Sequence, residues 1–178
     1  MKITHQTPTV LNISGLTDLD PITVCLFDLA PSAGKIIVQC YDRAWSIYFG
    51  AMGEDRNIVD FILQANTGYL VGKVTPSVPM SIPDFNALGE MALAVLDRHV
   101  SEGATLEVDD HSARTRLRSM YSEADAAEAS EILSGILGHD WHYDIPNRLN
   151  PEHTYVARII DAVKAALNDE FRAGDKHE

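Results

Sequence analysis

Three runs of strand-forming residues constrain this chain more than any other feature. They lie at residues 22–29, 35–41 and 44–49, and each is rich in β-branched and aromatic residues. Such residues favour extended strands. Pro31 and Gly34 mark a turn after the first run, and a two-residue polar break follows the second. Because short connections join antiparallel strands, the segment predicts consecutive strands of one antiparallel sheet.

The third run alternates between large and small side chains. Trp45, Ile47 and Phe49 alternate with Ala44, Ser46 and Tyr48. A strand places every second side chain on the same face, so the three large groups need a cover. Residues 57–65 predict a short helix with apolar residues at helical spacing, and this helix is the nearest candidate. We therefore expect a folding core here rather than a ligand pocket.

The second half of the chain has helical periodicity. Helices are predicted from residue 84 to about 100, from about residue 109, over residues 122–138 without a break, and from Pro151, which follows the capping residue Asn150. The last helix carries a continuous apolar stripe from Val156 to Phe171. Residues 69–74 are ambiguous between a fourth strand and the end of a helix, and residues 9–13 predict a short edge strand.

Together these elements predict an α+β protein. A small antiparallel sheet of three to five strands, from the first half, packs against four or five helices that come mostly from the second half. The length of 178 residues predicts a single domain spanning residues 1–178. Residues 75–83 hold three prolines, so they divide a β-rich lobe (residues 1–79) from a helical lobe (residues 80–178).

The chain has two cysteines, Cys25 and Cys40, in the first two strand runs. If the turn is symmetric about Ser32 and Ala33, the two cysteines lie directly opposite each other across a hairpin. In a reducing cytoplasm we expect two buried thiols rather than a disulfide. Their spacing matches no zinc pattern, and no cofactor is expected.

The formal net charge of −12 narrows the set of partners. A chain this acidic does not bind nucleic acid or an anionic membrane over a broad surface. The acidity serves solubility, or it serves the approach to a basic partner such as a nucleic-acid-binding protein. The amino terminus has no apolar signal segment, and no apolar run reaches about 20 residues, so a cytoplasmic location is expected.

Residues 139–144 form the chemically densest segment. His139 and His142 are candidate metal ligands with Asp140, but a loop or short strand between Gly138 and Pro146 separates the two imidazoles, and a third ligand is needed. The alternative is a surface loop anchored by aromatic residues, which are favoured at protein interfaces. The interface predicted on this basis joins two aromatic residues to nearby acids: Trp141, Tyr143, Asp140, Asp144, Glu128 and Glu131.

Part of the chain resembles uncharacterised accessory proteins of temperate bacteriophages and prophages. The resemblance runs through residues 34–74, at 34–41 (GKIIVQCY), 44–46 (AWS), 49–53 (FGAMG), Phe61 and 69–70 (YL). It covers about a quarter of the chain, and most of the matching residues are structural types. The resemblance implies a phage gene expressed in a bacterial cytoplasm, and it supplies no catalytic residues.

Three functions follow as hypotheses. The first is an acidic phage accessory protein that acts without catalysis by binding a host protein, for example to inhibit a bacterial defence or nucleic-acid-processing complex. The second is a small metal-dependent hydrolase or nucleotide-processing enzyme built on the histidines of residues 139–144. The third is a self-associating structural or regulatory protein, a homodimer formed through the Trp45 face or the last helix. No catalytic residue is assigned.

Overall fold

The computed structural model describes residues 3, 5–54, 56–103 and 109–174, with side chains up to residue 171. The described chain forms two compact units. Unit 1 comprises Met1–Met80 and Asn150–Glu178, and unit 2 comprises Ser81–Leu149. The last helix therefore groups with the β-rich residues, whereas a division at residues 79/80 placed it in the helical lobe. The number of domains stays a prediction.

The described residues form six strands and seven α-helices. The strands are β1 (Thr9–Ile13), β2 (Ile22–Ala30), β3 (Ala33–Cys40), β4 (Arg43–Phe49), β5 (Ser81–Pro83) and β6 (Asn147–Leu149). The helices are α1 (Ile58–Gln64), α2 (Thr67–Val74), α3 (Phe85–Ser101), α4 (Asp110–Arg118), α5 (Glu123–Glu128), α6 (Ser130–Leu137) and α7 (Pro151–Gly174).

Unit 1 is built on a four-stranded antiparallel sheet in the order β1-β2-β3-β4. The predicted alternation in β4 is confirmed, because Ile47 and Phe49 are buried and Trp45 is half-buried while their neighbours are exposed. Side chains of α1, α2 and α7 complete the same core. The predicted α+β class, with its antiparallel sheet in the N-terminal half and its helices mostly in the C-terminal half, is thus confirmed.

The helices number seven rather than four or five for two reasons. The ambiguous segment at residues 69–74 lies in α2. The single helix predicted over residues 122–138 is wrong, because the chain leaves helical geometry at Ala129 and forms α5 and α6. Ala126, Ala129, Leu133 and Ile136 are nevertheless all buried in one core. A one-residue break leaves their spacing of three and four unchanged, so periodicity alone does not reveal it.

The two cysteines do not face each other. Cys25 pairs with Ile37 and Cys40 pairs with Ile22, because the hairpin turns at Pro31 and Ser32 and its register shifts between Asp28 and Ala30. A register that differs by an odd number of residues moves a side chain to the other face of the sheet. Cys40 is therefore buried in the core, whereas Cys25 lies half-buried on the opposite face, and both thiols are free.

Helix α7 completes unit 1 from the far end of the chain. Asn150 caps it as predicted, since its Oδ1 accepts a hydrogen bond from the Glu152 amide at 3.0 Å. The Asn150 Nδ2 donates to the Pro79 carbonyl at 2.9 Å, and the Asn150 backbone amide donates to the Met80 carbonyl at 2.9 Å. The apolar stripe is buried from Val156 to Leu167, but Phe171 is 44% exposed, so the stripe ends one turn earlier than predicted.

Unit 2 is mainly helical. Its core is formed by α3, α4, α5 and α6, and its two ends are joined by the antiparallel pair β5–β6, which the sequence did not predict. Two of the three arginines of α4 form ion pairs. Arg114 bridges Asp97 at 2.5 Å and Asp110 at 2.9 Å, and Arg116 pairs with Glu128. In the described part of the chain, no helix combines the length and the apolar composition needed to cross a membrane.

The stability of unit 1 is expected to fall at alkaline pH because of Tyr155. Its hydroxyl lies 3.4 Å from the Cys40 sulfur, and this hydrogen bond, with partial burial, raises the pKa of Tyr155 to about 12 from 10.0. A raised tyrosine pKa means that folding favours the neutral phenol. The contribution is complete below pH 10 and is lost as the pH rises through 12.

Urea unfolding from pH 8 to pH 11.5 tests this expectation. Tyr155→Phe is expected to lose about 1 kcal/mol at pH 8 and to show a shallower alkaline decline than the wild type. Tyr48→Phe, at a tyrosine of the same unit that is 64% exposed, is the control and is expected to follow the wild type. Equal slopes for wild type and Tyr155→Phe would contradict the assignment.

Candidate functional site

A cleft in unit 2 brings an aromatic floor together with ionisable side chains. Its volume is about 560 Å³, within the range typical of binding pockets. We call it the Trp141 cleft. It is lined by Pro83, Phe85, Glu123, Ala126, Ala127, Ser130, Trp141, His142 and Ile145. Two other depressions have volumes of about 440 and 510 Å³, the first around Asp28 and Arg56 and the second around His111 and Arg116.

Three segments of unit 2 supply the lining. Helix α3 contributes Phe85 at its start, where the Asp84 carboxylate accepts a hydrogen bond from the Ala87 amide at 3.1 Å. The Asp84 amide donates to the Pro146 carbonyl at 2.7 Å, which holds the segment after α6 against the start of α3. These contacts place Phe85 and Ile145, 60 residues apart in sequence, in the same cleft.

Helices α5 and α6 form another wall. Ser122 and Asp125 form a capping box at the start of α5. Hydrogen bonds from the Tyr121 amide, then from the Ser122 hydroxyl and amide, lower the pKa of Asp125, because they favour the ionised carboxylate. The ionised Asp125 carboxylate thus helps to fix the start of α5.

The segment between α6 and β6 forms the floor. Gly138 ends α6 with φ of 93°, and a 3₁₀ turn at Trp141–Tyr143 follows. Trp141 and Ile145 are half-buried and pack against the core of unit 2. The His142 ring lies 4.1 Å, centroid to centroid, from the Tyr143 ring, and Tyr143 is 80% exposed. The cleft thus offers apolar surface beside an exposed aromatic ring.

The part of the chain that supplies most of the cleft lining is acidic. Residues 119–147 hold six acidic residues and no lysine or arginine. Glu123 lines the cleft itself, and three other exposed acids are each adjacent in sequence to a lining residue: Glu131, Asp140 and Asp144. Glu128 follows Ala127, but its carboxylate pairs with Arg116. Within the described ranges, none of the other four forms an ion pair.

The residues predicted from sequence as an interface are placed around the same cleft. Trp141 lies in its floor, half-buried rather than fully exposed, and Tyr143 lies beside it in solvent. The segment is a turn and a 3₁₀ turn, so the alternative of a short strand is wrong. His142 lines the cleft and His139 is exposed. Among described residues, no three His, Cys, Asp or Glu side chains are grouped to hold a metal ion.

Sequence reasoning missed Phe85, Ile145 and Glu123. The apolar pattern marked Phe85 only as part of a helix face, and Ile145 stood alone between two polar residues and a proline. One signal was available. An uninterrupted stretch of 29 residues without lysine or arginine surrounds the densest aromatic and histidine segment.

The two surfaces that the sequence offered to a second subunit are used inside unit 1. Trp45 is half-buried against the unit 1 core, and the Arg43 guanidinium lies 5.2 Å from the centroid of its ring. The apolar stripe of α7 is buried in the same core from Val156 to Leu167. Neither surface is therefore left as an extended apolar face.

The comparisons with known proteins place the chain among phage proteins. The model of a protein family described as a phage family matches residues 1–169. No curated protein and no solved structure matches the chain. The family match extends over nearly the whole sequence, whereas the resemblance seen in the sequence covered residues 34–74, and it confirms that resemblance at the level of a phage family. The chain belongs to this phage family.

Proposed function

We propose that this phage protein acts without catalysis, by binding a host protein through the Trp141 cleft in the bacterial cytoplasm. Inhibition of a defence complex or of a nucleic-acid-processing complex is the kind of activity that such binding serves. The observation that supports the proposal most is the combination of an apolar cleft with a half-buried Trp141 and an exposed Tyr143. Tryptophan and tyrosine are enriched among the residues that dominate binding energies.

The lining favours binding over reaction chemistry. Six of the nine lining residues are apolar, and the polar groups are one carboxylate, one hydroxyl and one imidazole, from Glu123, Ser130 and His142. Apolar pockets with a few polar groups position a ligand or a partner's side chains. A protein partner fits this surface because the aromatic residues supply contact area while the surrounding acids select for charge.

Capture of host proteins on the immobilised full-length chain tests the proposal. Ala127 is exposed and lines the cleft, so Ala127→Arg fills the cleft without touching the core. Ala94→Arg is the matched control, because Ala94 is exposed on α3, nine residues from Phe85 and on the opposite side of the helix. The wild type and Ala94→Arg are expected to capture the same host protein in similar amounts. Ala127→Arg is expected to capture at least tenfold less of it.

Trp141→Ala supplies the quantitative prediction. Truncating a central aromatic anchor typically costs at least 2 kcal/mol, so the Kd for the captured protein is expected to rise about 30-fold or more. Because Trp141 also packs on the core of unit 2, each variant is first compared with the wild type by thermal unfolding. A folded Ala127→Arg protein that binds the same partner with unchanged affinity would refute the cleft as the binding site.

A further inference from the structure

We infer that the partner docks a cationic segment into the Trp141 cleft: a short stretch of polypeptide with an apolar side chain that enters the cleft and with lysine or arginine residues on its flanks. This inference rests on the proposed function, and it specifies the chemistry of the partner. Segments of this kind are typical of surfaces that contact nucleic acid phosphates.

The size and lining of the cleft fix the apolar part of the segment. A volume of about 560 Å³ with Phe85, Trp141 and Ile145 in its wall and floor suits a few apolar side chains of a peptide. The three residues are half-buried and are held against the unit 2 core. Because these side chains are already packed, they lose little conformational entropy when a partner binds. The cleft is therefore suited to an apolar anchoring side chain of the partner.

The charge distribution fixes the sign of the flanks. Glu123 lines the cleft, and Glu131, Asp140 and Asp144 flank lining residues without an ion pair among the described residues. Unit 2 as a whole holds 13 acidic and five basic residues, none of them lysine. Two of its arginines, Arg114 and Arg116, are already paired with carboxylates. We call Glu123, Glu131, Asp140 and Asp144 the rim of the cleft. A cationic partner is attracted to this rim, and an anionic partner is repelled.

Other occupants fit less well. Nucleic acid and an anionic membrane are repelled by the same rim. A second copy of this chain, docked with its own cleft region on this one, opposes two acidic rims. The described carboxylates and imidazoles form no group of three that would hold a metal cation. A cationic polypeptide is left as the occupant whose charge and apolar character both match the cleft.

Selection from a random library of 12-residue peptides tests this without knowledge of the host partner. The full-length wild type is the target, and peptides that also bind Ala127→Arg are discarded. The enriched sequences are expected to carry a net charge of at least about +2 together with a large apolar residue. Neutral or acidic consensus sequences, or the absence of any peptide that depends on the cleft, would overturn the inference.

Charge-neutralised variants then test the rim. Glu123→Gln, Asp140→Asn and Asp144→Asn together are expected to raise the Kd of a selected peptide about tenfold, since each exposed ion pair across the interface contributes a small part of the affinity. Glu54→Gln, Asp169→Asn and Glu170→Gln together change the net charge equally, at exposed acids of unit 1, and are expected to leave the Kd unchanged. Equal effects of the two triple variants would show a general charge effect only and would overturn the assignment to the rim.

Binding of a host protein through the cleft and the cationic character of the bound segment can be refuted independently. If a host protein is captured through the cleft but its binding is unaffected by neutralising the rim, the proposed function stands and the cationic segment is refuted. If cationic peptides bind through the cleft but no host protein depends on it, the chemistry of the cleft stands and the proposed function is refuted.

Discussion

Gly89→Ala is expected to destabilise unit 2 by about 2 kcal/mol, although alanine is the better helix former. A Cβ atom at Gly89 would lie 2.3 Å from the carbonyl oxygen of Leu117 and 3.5 Å from the Cβ of Met120. The nearest atom belongs to the backbone of α4 and cannot rotate away, so α3 and α4 must separate. Overpacking of a core usually costs about 1–3 kcal/mol, and occasionally more. That cost exceeds the roughly 1 kcal/mol that alanine gains over glycine within a helix.

The control for this prediction is a glycine at which an added Cβ atom would contact no other residue. Gly135 lies in α6, and a Cβ atom there meets nothing within 4 Å. Gly135→Ala is therefore expected to stabilise unit 2 by about 0.5–1 kcal/mol, so the same substitution has opposite signs at two helical positions of one unit.

The two tryptophans allow each unit to be followed separately. Trp45 lies in unit 1 and Trp141 in unit 2, and the chain contains no third tryptophan. In a Trp45→Phe background, urea unfolding followed by Trp141 emission reports on unit 2. Gly89→Ala is expected to lower the urea concentration at which unit 2 is half unfolded. A concentration equal to or above that of the Trp45→Phe parent would show that α3 and α4 lie farther apart than the 2.3 Å contact implies.

The parts of the fold that the sequence predicted correctly depend on local rules. The alternation in β4 and the capping of α7 by Asn150 each involve side chains and backbone atoms within a few residues of one another. Local patterns of this kind act the same way in any fold. The composition of the strand runs also indicated the antiparallel sheet, since the connections are too short for a crossover.

The errors arose where a choice depends on contacts distant in sequence. The register that pairs Cys25 with Cys40 assumed a turn symmetric about Ser32 and Ala33. The observed one was decided by the turn at Ser32, which has φ of 60°, and by the irregularity near Asp28, whose carboxylate accepts a hydrogen bond from the Ile58 amide at 2.7 Å. The apolar stripe of α7 predicted a buried helix, but its pattern carries no information on which unit buries it.

The candidate site was predicted in part for the same reason. Trp141, Tyr143 and the nearby acids stand out in sequence because rare residue types are concentrated there. Phe85 reaches the cleft only because the β5–β6 pair and the bond from the Asp84 amide to the Pro146 carbonyl bring distant segments together. A three-residue strand that contains a proline gives almost no sequence signal, so these contacts could be found only in the structure.

Removal of residues 150–178 is expected to unfold unit 1 completely, whereas removal of residues 81–149 is expected to leave it folded. Five fully buried residues of its core come from α7: Val156, Ile159, Ile160, Val163 and Leu167. Burial of five such side chains is worth about 7–15 kcal/mol at about 1.5–3 kcal/mol each. This is as large as the whole stability of a typical domain, about 5–15 kcal/mol, so the sheet with α1 and α2 is not expected to fold alone.

Removal of residues 81–149 is compatible with the fold of unit 1, because the two ends that it creates, Met80 and Asn150, lie next to each other. The Asn150 amide donates to the Met80 carbonyl at 2.9 Å, so a linker of about four glycine and serine residues spans the gap left by residues 81–149. The variant without residues 81–149 lacks Trp141, so its tryptophan emission comes from Trp45 alone. The fragment 1–149 retains Trp141, and Trp141→Phe in this fragment leaves Trp45 as the one source of tryptophan emission.

Trp45 emission and amide chemical-shift dispersion distinguish the outcomes. The linked variant is expected to unfold cooperatively in urea with a buried Trp45, and the fragments 1–149 and 1–79 are expected to show a solvent-exposed Trp45 without a cooperative transition. Cooperative unfolding of the fragment 1–79 would restore the division of the chain at residues 79/80. It would also mean that α7 covers a core that is already stable, because the strands, α1 and α2 would then bury enough apolar surface without it.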